Sequence, residues 1–197
     1  MKLLNMRLWL TSSQRRTLEI AGYMLLLAAG CIAGTLCMVK SEDNPLCRFC
    51  LLYGLPDVSS QGTKLLLSSL GSSTGIMVIA ICLGFCGTGQ IFLALLLIFH
   101  GFSTGCTLTS LSQNLTLSML PLYALAALYT AAVSYMILLG VREAMGFSCT
   151  YIHTLLYGAD STASRNRLRL YCLRFALLLI LLCISALIYT LLSGIIK

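Results

Sequence analysis

The residues that could carry out chemistry lie close together in the middle of the chain. Gly101-Phe102-Ser103-Thr104-Gly105 has the G-x-S-x-G spacing of a hydrolase nucleophile, and His100 immediately precedes it. In such enzymes the serine sits between a strand and a helix, with a base within hydrogen-bond distance. Here the motif lies in a long uncharged apolar stretch, where small residues four positions apart favour close helix packing. We therefore predict a packing face and a protein that is not an enzyme.

His100 keeps two interpretations open. An intramembrane serine protease would need a histidine on a second spanning helix, and the only other histidine, His153, falls in a predicted connecting segment. A histidine within a membrane is nevertheless a functional candidate by default, because burying an ionisable group in lipid is costly. The alternative is a structural residue bonded to a neighbouring backbone carbonyl.

Ten cysteines raise the possibility of redox or metal chemistry. Most of them fall within apolar segments, where thiols behave as small hydrophobic groups. The one suggestive pair is in Cys47-Arg48-Phe49-Cys50, but a lone C-x-x-C without a second pair or nearby histidines is weak evidence for a metal. We predict no metal and no cofactor. Cys47 and Cys50 are expected to form a structural disulfide outside the cell or to remain two thiols.

The composition is that of a membrane protein. Hydrophobic residues make up 58% of the chain, charged residues only 10%, and the mean hydropathy is +0.93. With 197 residues, the chain can form a handful of spanning helices of about 20 residues each. The net charge of +7 comes from basic residues beside apolar segments, which favours anionic lipid over nucleic acid as the partner. We predict a multi-pass protein of the cell membrane.

The number of spanning helices depends on one overlong apolar region. Residues 73–113 contain no Asp, Glu, Lys or Arg, yet they are about twice as long as one pass requires. Gly84, Gly87 and Gly89 weaken helix and tolerate turn conformations, so we predict a turn there. Pro121 suits the first turn of a further helix. The sequence thus predicts one membrane domain, residues 1–197, an all-α polytopic bundle with five spanning helices at about residues 18–39, 68–86, 90–112, 119–142 and 170–196.

The distribution of basic residues predicts the orientation. Short cytoplasmic segments of membrane proteins are enriched in Lys and Arg, and the N-terminal flank and residues 143–169 hold most of the basic residues here. Five passes place both segments in the cytoplasm, residues 41–66 outside, and the C-terminus on the extracytoplasmic side. Arg165, Arg167 and Arg169 are then expected to contact anionic headgroups. Whether residues 46–56 and 145–157 are helices or lie along the interface stays open.

A second small-residue motif, Gly30-Cys31-Ile32-Ala33-Gly34, would let another backbone approach closely. The neighbouring backbone could belong to this chain or to a partner, such as a second copy. The complete set of residues predicted at helix-packing or partner interfaces is Gly30, Gly34, Gly84, Gly87, Gly89, His100, Gly101, Phe102, Gly105 and Pro121.

In the order of its elements the chain resembles the stage II sporulation protein M family of bacterial membrane proteins. The shared features are a basic N-terminus, a first helix with glycines at its end, an outer segment, two apolar helices around a glycine turn, and a proline-led fourth helix. The most specific part is residues 79–113, with Cys82-Leu83-Gly84 before the turn and a later Gly-Phe-x-x-Gly at Gly101. His100 replaces a residue that is often polar or basic in the family, and the cysteine content is unusual.

This resemblance implies a non-catalytic anchor that recruits a lytic transglycosylase and an amidase to the sporulation septum during engulfment. Relatives in organisms that form no spores share the architecture without a settled function. The alternative is a small transporter-like or channel-like subunit of unknown substrate. No acidic residue lies inside the apolar run of a predicted span, since Glu19 immediately precedes the run that starts at Ile20. This disfavours ion coupling, although the glycine break could be a half-helix junction.

Overall fold

The computed structural model describes residues 12–40, 45, 49–50, 63–113, 120–157 and 161–196. The described residues contain no strand, and five helices account for nearly all of them, so the prediction of an all-α helical bundle is confirmed. The helices are α1 (Ser12–Lys40), α2 (Thr63–Gly84), α3 (Gly89–Gln113), α4 (Leu120–Tyr157) and α5 (Ser161–Ile196).

Four of these helices are long and apolar enough to cross a membrane, so the chain is a multi-pass membrane protein. Their apolar spans are Thr17–Lys40, Gly89–Gln113, Leu120–Cys149 and Arg165–Ile195. The apolar part of α2, Ser69–Gly84, is shorter. The whole of α2 has 22 residues and measures about 33 Å, which matches the roughly 30 Å of hydrocarbon. We therefore keep α2 as the predicted fifth pass.

The connection between α2 and α3 is a tight turn at residues 85–88. Backbone hydrogen bonds close it, from Phe85 N to Cys82 O at 3.1 Å, from Cys86 N to Leu83 O at 3.1 Å, and from Gly89 N to Cys86 O at 3.0 Å. A Cβ atom at Gly89 would overlap the Leu83 carbonyl oxygen, so a residue without a side chain is required. The chain reverses at this point, and α2 and α3 run antiparallel.

Two helices are longer than the hydropathy pattern predicts. α4 has 38 residues and α5 has 36, which correspond to about 57 Å and 54 Å. Most of the predicted cytoplasmic segment 143–169 is therefore helical, including residues 145–157. The physical reason is that residues 143–157 contain no proline and one glycine. The change from apolar to polar composition marks the edge of the membrane and does not terminate a helix.

The described ends of the five helices form two groups. One group surrounds a single cavity or is joined by ring contacts. It consists of the start of α1, the turn at residues 85–88, the region of α4 around Arg142 and the start of α5. We call this the basic end, because Arg142, Arg167 and Arg174 lie there. The end of α1, the start of α2, the end of α3 and the start of α4 lie opposite, since the helices alternate in direction.

The helices also differ in how much of their surface is covered. α1 packs mainly against α3, whereas α2, α4 and α5 pack against one another and α3 also contacts α2 and α4. Most of α1 is exposed, and its exposed side chains include Leu25, Ile32, Leu36 and Val39. Because lipid is the solvent at this depth, an exposed apolar face is what a peripheral spanning helix requires.

Candidate functional site

The two small-residue motifs predicted on separate helices face each other. Each of the four glycines lies so close to the opposite helix that a Cβ atom would overlap its backbone. We call this contact between α1 and α3 the glycine seam. Its four contacts are Gly30 on Ile98, Gly34 on Phe102, Gly101 on Leu27 and Gly105 on Cys31.

The seam helps to decide whether these glycines pack against this chain or against a partner chain. Within the described chain the backbone of the opposite helix covers each of the four glycines, and all four are buried. A second copy could reach them only if α1 and α3 separated. In lipid, helices associate through van der Waals contact and not through burial from water, so this close approach contributes directly to the stability of the pair.

His100 lies beside the seam and reaches the neighbouring helix α4. Its side chain is buried, and its Nε2 atom is 3.0 Å from the hydroxyl oxygen of Ser134. The Thr104 hydroxyl donates a hydrogen bond to the His100 carbonyl at 2.9 Å. The partner of the imidazole is thus a side chain on another spanning helix. Nothing in the sequence around Ser134 singles it out, because a serine in an apolar helix usually bonds to its own backbone.

A serine and a histidine on two spanning helices could in principle form a catalytic pair, so its surroundings matter. Such a pair also needs donors for an oxyanion and a group that orients the imidazole. The described carboxylates lie at the basic end; Glu143 is nine residues from Ser134, about 13 Å along α4. The backbone N–H groups around Ser134 are within a continuous helix. The arrangement therefore serves best as a satisfied polar contact that joins α3 to α4.

Ser103, the serine of the G-x-S-x-G motif, bonds to a backbone carbonyl and not to the His100 imidazole. Its hydroxyl donates a hydrogen bond to the backbone carbonyl of Cys50 at 2.9 Å. Cys50 is buried in a small cluster with Met38 and Cys106. Ser103 thus holds part of the segment between α1 and α2 against the bundle. Cys47 lies outside the described residues, so the predicted disulfide stays untested.

The other predicted contact residues lie away from the seam. Gly84 lies against the Tyr171 ring of α5, where a Cβ atom would overlap the phenolic oxygen. The Tyr171 hydroxyl in turn donates to the Ile81 carbonyl at 3.1 Å. Gly87 is exposed in the turn, and Pro121 is exposed at the second position of α4. The predicted set thus falls into the seam, the turn and the start of α4, and it does not form one site.

The three arginines predicted at the lipid surface do not share one face of α5. Arg165 and Arg169 are four residues apart and lie on the same side of the helix, whereas Arg167 points roughly the opposite way. Arg167 lines a cavity of about 470 Å³ at the basic end, together with Arg142 and Arg174. Glu143 accepts a hydrogen bond from Arg174 and also lines this cavity. Arg142 and Arg174 belong to this group although the sequence pattern did not predict them at the lipid surface.

A second cavity of about 300 Å³ opens between α1, α3 and α4. Its lining is apolar apart from hydroxyl groups, including those of Thr104 and Ser134. Among the residues that the structure describes, no three His, Cys, Asp or Glu side chains are grouped so that they could hold a metal ion. Of the two cavities, the one at the basic end has the more strongly charged lining, because five charged side chains line it and none lines the second cavity.

Comparison with known proteins found no relative of this chain. The chain matches no protein family model, no curated protein and no solved structure. The resemblance to the stage II sporulation protein M family stays a prediction from residues 79–113, and the fold and contacts described above rest on the chain alone.

Proposed function

We propose that this protein is a non-catalytic membrane anchor that recruits and localises peptidoglycan hydrolases during sporulation. The observation that supports the proposal best is the hydrogen bond from Ser103 to the Cys50 carbonyl. It attaches the segment between α1 and α2 to the bundle ten residues after α1 ends at Lys40. An anchor that positions other proteins needs its binding segment held in place, because each residue left mobile adds an entropic cost to binding.

The point where Cys50 is attached lies beside the glycine seam. Gly34 and Cys106 lie on the two helices of the seam, and the Cys106 thiol lies 3.5 Å from the Gly34 carbonyl. Cys50 packs into the same cluster as Cys106. Cys50 thus lies beside the part of the bundle where two backbones are in direct contact. The partners that the family resemblance implies, a lytic transglycosylase and an amidase, would bind on this side.

The proposal can be tested by recovering the tagged protein from its own host after mild crosslinking. Mass spectrometry would quantify the two hydrolases that accompany the wild type, Gly34→Leu and Gly22→Leu. Gly22 is the matched control, because it is on α1 and a Cβ atom there meets nothing within 4 Å. We expect the wild type and Gly22→Leu to retain the hydrolases and Gly34→Leu to lose them. Recovery of neither hydrolase with the wild type, together with normal septal wall degradation in a deletion strain, would end the proposal.

The proposal also requires the basic end to face the cytoplasm. An impermeant thiol reagent and peptide mapping can locate Cys149, which is exposed near that end of α4. We expect Cys149 to react in inverted vesicles and not in intact cells. The control is Gln113→Cys, at the exposed opposite end of α3, which is expected to react in intact cells. The reverse pattern would show that the basic end faces outward. The side proposed to bind wall enzymes would then lie in the cytoplasm, which contradicts the proposal.

The second candidate, a transporter-like or channel-like subunit, has less support. A half-helix junction would interrupt a helix near the middle of the membrane, whereas the glycine break here is a hydrogen-bonded turn at the basic end. Solute flux in reconstituted vesicles that is abolished by a change at Gly84 or His100 would favour this candidate over the anchor.

A further inference from the structure

The cavity at the basic end has an excess of positive charge. Five charged side chains line it, namely Arg142, Arg167, Arg174, Glu19 and Glu143. Three cations and two anions leave a formal charge of +1. The volume of about 470 Å³ lies within the range of roughly 300–1,000 Å³ that is usual for small-molecule sites. The cavity is therefore suited to a ligand with one negative charge.

The pairing of these side chains shows which of them are available to a ligand. Arg174 and Glu143 form an ion pair with each other. Arg142 and Arg167 come from different helices, and neither has a hydrogen bond or ion pair to another described residue. The remaining carboxylate, Glu19, can balance only one of them. Two guanidinium groups from different helices in one cavity match the oxygens of a phosphate, which arginine binds with two parallel hydrogen bonds.

The cavity lies at the depth of the lipid headgroups. Arg142 follows the start of α4 by 22 residues, about 33 Å along the helix, which is close to one hydrocarbon thickness of roughly 30 Å. Glu19 and Gln90 lie near the starts of the apolar spans of α1 and α3. Tyr23 and Tyr171 also line the cavity, and tyrosine is enriched at this level of membranes.

The uncharged part of the lining distinguishes a lipid from a free ion. Met145, Phe147 and Leu170 line the cavity beside the arginines. A soluble phosphate gains nothing from these side chains, whereas the glycerol and first acyl carbons of a phospholipid can pack on them. We propose that this cavity binds the headgroup of an anionic phospholipid, with Arg142 and Arg167 on its phosphate. This site does not depend on the proposed anchoring of hydrolases.

The test uses the full chain in phosphatidylcholine nanodiscs, titrated with phosphatidylglycerol and read out as bound lipid by native mass spectrometry. We expect R142Q/R167Q to weaken phosphatidylglycerol binding about tenfold, because two phosphate contacts are lost. K40Q/K64Q is the matched control: it removes the same charge from the last residue of α1 and the second residue of α2, at the end of the bundle opposite the cavity. The control is expected to change binding by less than about twofold, because roughly 30 Å of hydrocarbon separates these positions from the cavity. Equal losses in both variants, or none in either, would overturn the site.

A variant with the opposite effect guards against misfolding. Glu19→Gln removes the carboxylate that competes with the phosphate for the two arginines, so phosphatidylglycerol binding is expected to rise about threefold or more. A misfolded protein would not bind the lipid more tightly. Unchanged or weaker binding by Glu19→Gln would contradict the proposed arrangement of charges.

The source of the phosphate is tested by competition. Glycerol phosphate or inorganic phosphate is added in the millimolar range to the phosphatidylglycerol-bound protein. We expect the lipid to stay bound, because the soluble anions lack the apolar contacts to Met145, Phe147 and Leu170. Displacement of the lipid at those concentrations would identify a site for a soluble anion and overturn the assignment to a lipid.

Discussion

α1 and α3 meet through their backbones, whereas α2, α4 and α5 meet through large side chains. In the glycine seam no side chain separates the two helices. In the second region aromatic rings fill the space, as in the stack of Tyr129 on Tyr189, with ring centroids 4.5 Å apart. At the basic end the rings of Phe147 and Tyr171 stack at 4.3 Å. We call this second region the aromatic core.

The difference shows two ways in which helices can increase their van der Waals contact in lipid, where no hydrophobic driving force brings them together. Lipid chains are as apolar as leucine, so helices must gain van der Waals contact with each other beyond what lipid offers. Glycines achieve this by close approach of backbones, and aromatic rings achieve it by filling volume. The seam should therefore be sensitive to added atoms, and the aromatic core to removed ones. The following predictions test this contrast, beginning with the largest expected effect.

Gly34→Leu should have the largest effect, because the new side chain would overlap the Phe102 carbonyl and force α1 away from α3. We expect loss of monodisperse protein in size-exclusion chromatography, since overpacking against an immobile backbone exceeds the usual cost of about 1–3 kcal/mol. Gly22→Leu, in open space on the same helix, should behave like the wild type. Similar unfolding temperatures for the two variants would show that the seam is not tightly closed.

Phe175→Ala should be next in size, because Phe175 is 2% exposed and packs in the aromatic core. In soluble proteins such a change costs about 3–5 kcal/mol. In lipid the transfer contribution largely disappears and the loss of packing remains, so we expect about 2 kcal/mol. Leu177→Ala is the control on the same helix, because Leu177 is 53% exposed to lipid. Equal losses of unfolding free energy would mean that lipid packs as well as the core does.

Ser134→Ala tests the hydrogen bond that joins the two regions through His100. Hydrogen bonds between membrane helices contribute about 0.6 kcal/mol on average and at most about 1.7, and the buried imidazole would lose its partner. We expect a loss of about 1 kcal/mol of unfolding free energy, with a coupling of similar size in a double-mutant cycle with His100→Leu.

The matched control for this serine is Ser185→Ala on α5. The Ser185 hydroxyl donates to the Leu182 carbonyl of its own helix at 2.8 Å, so its removal should change stability by less than about 0.5 kcal/mol. A coupling near zero between positions 100 and 134 would mean that α3 and α4 are joined by packing alone.

Tyr189→Phe should have the smallest effect and the opposite sign. Among the residues that the structure describes, the buried Tyr189 hydroxyl has no hydrogen-bond partner. Removing it should leave the free energy of unfolding unchanged or raise it by up to about 1 kcal/mol. The stacked neighbour supplies the control, because the Tyr129 hydroxyl reaches the Ser69 carbonyl at 3.5 Å and Tyr129→Phe should be slightly destabilising. A larger loss for Tyr189→Phe would reveal a partner for its hydroxyl.

Several features of the fold follow from composition and local pattern alone. The uncharged residues 73–113 are too long for one pass, and the glycines at 84, 87 and 89 mark where the chain turns. The length of an apolar run and its glycine content affect only the local backbone. Their effect can therefore be predicted without knowing which helices pack nearby. The ends of α4 and α5 could not be predicted in this way, because a helix continues past the membrane wherever nothing in the sequence stops it.

The pairing of the helices was decided by the tertiary structure. The sequence alone determined that this is an all-helical, multi-pass membrane protein with small residues on α1 and α3. It left open whether Gly30 and Gly34 face this chain or another, which residue accompanies His100, and whether Arg142 and Arg167 line the same cavity. Such contacts join residues far apart in the chain, and they depend on which helix faces come together. A pattern within one helix can show that a face will be covered, but only the packed bundle shows what covers it.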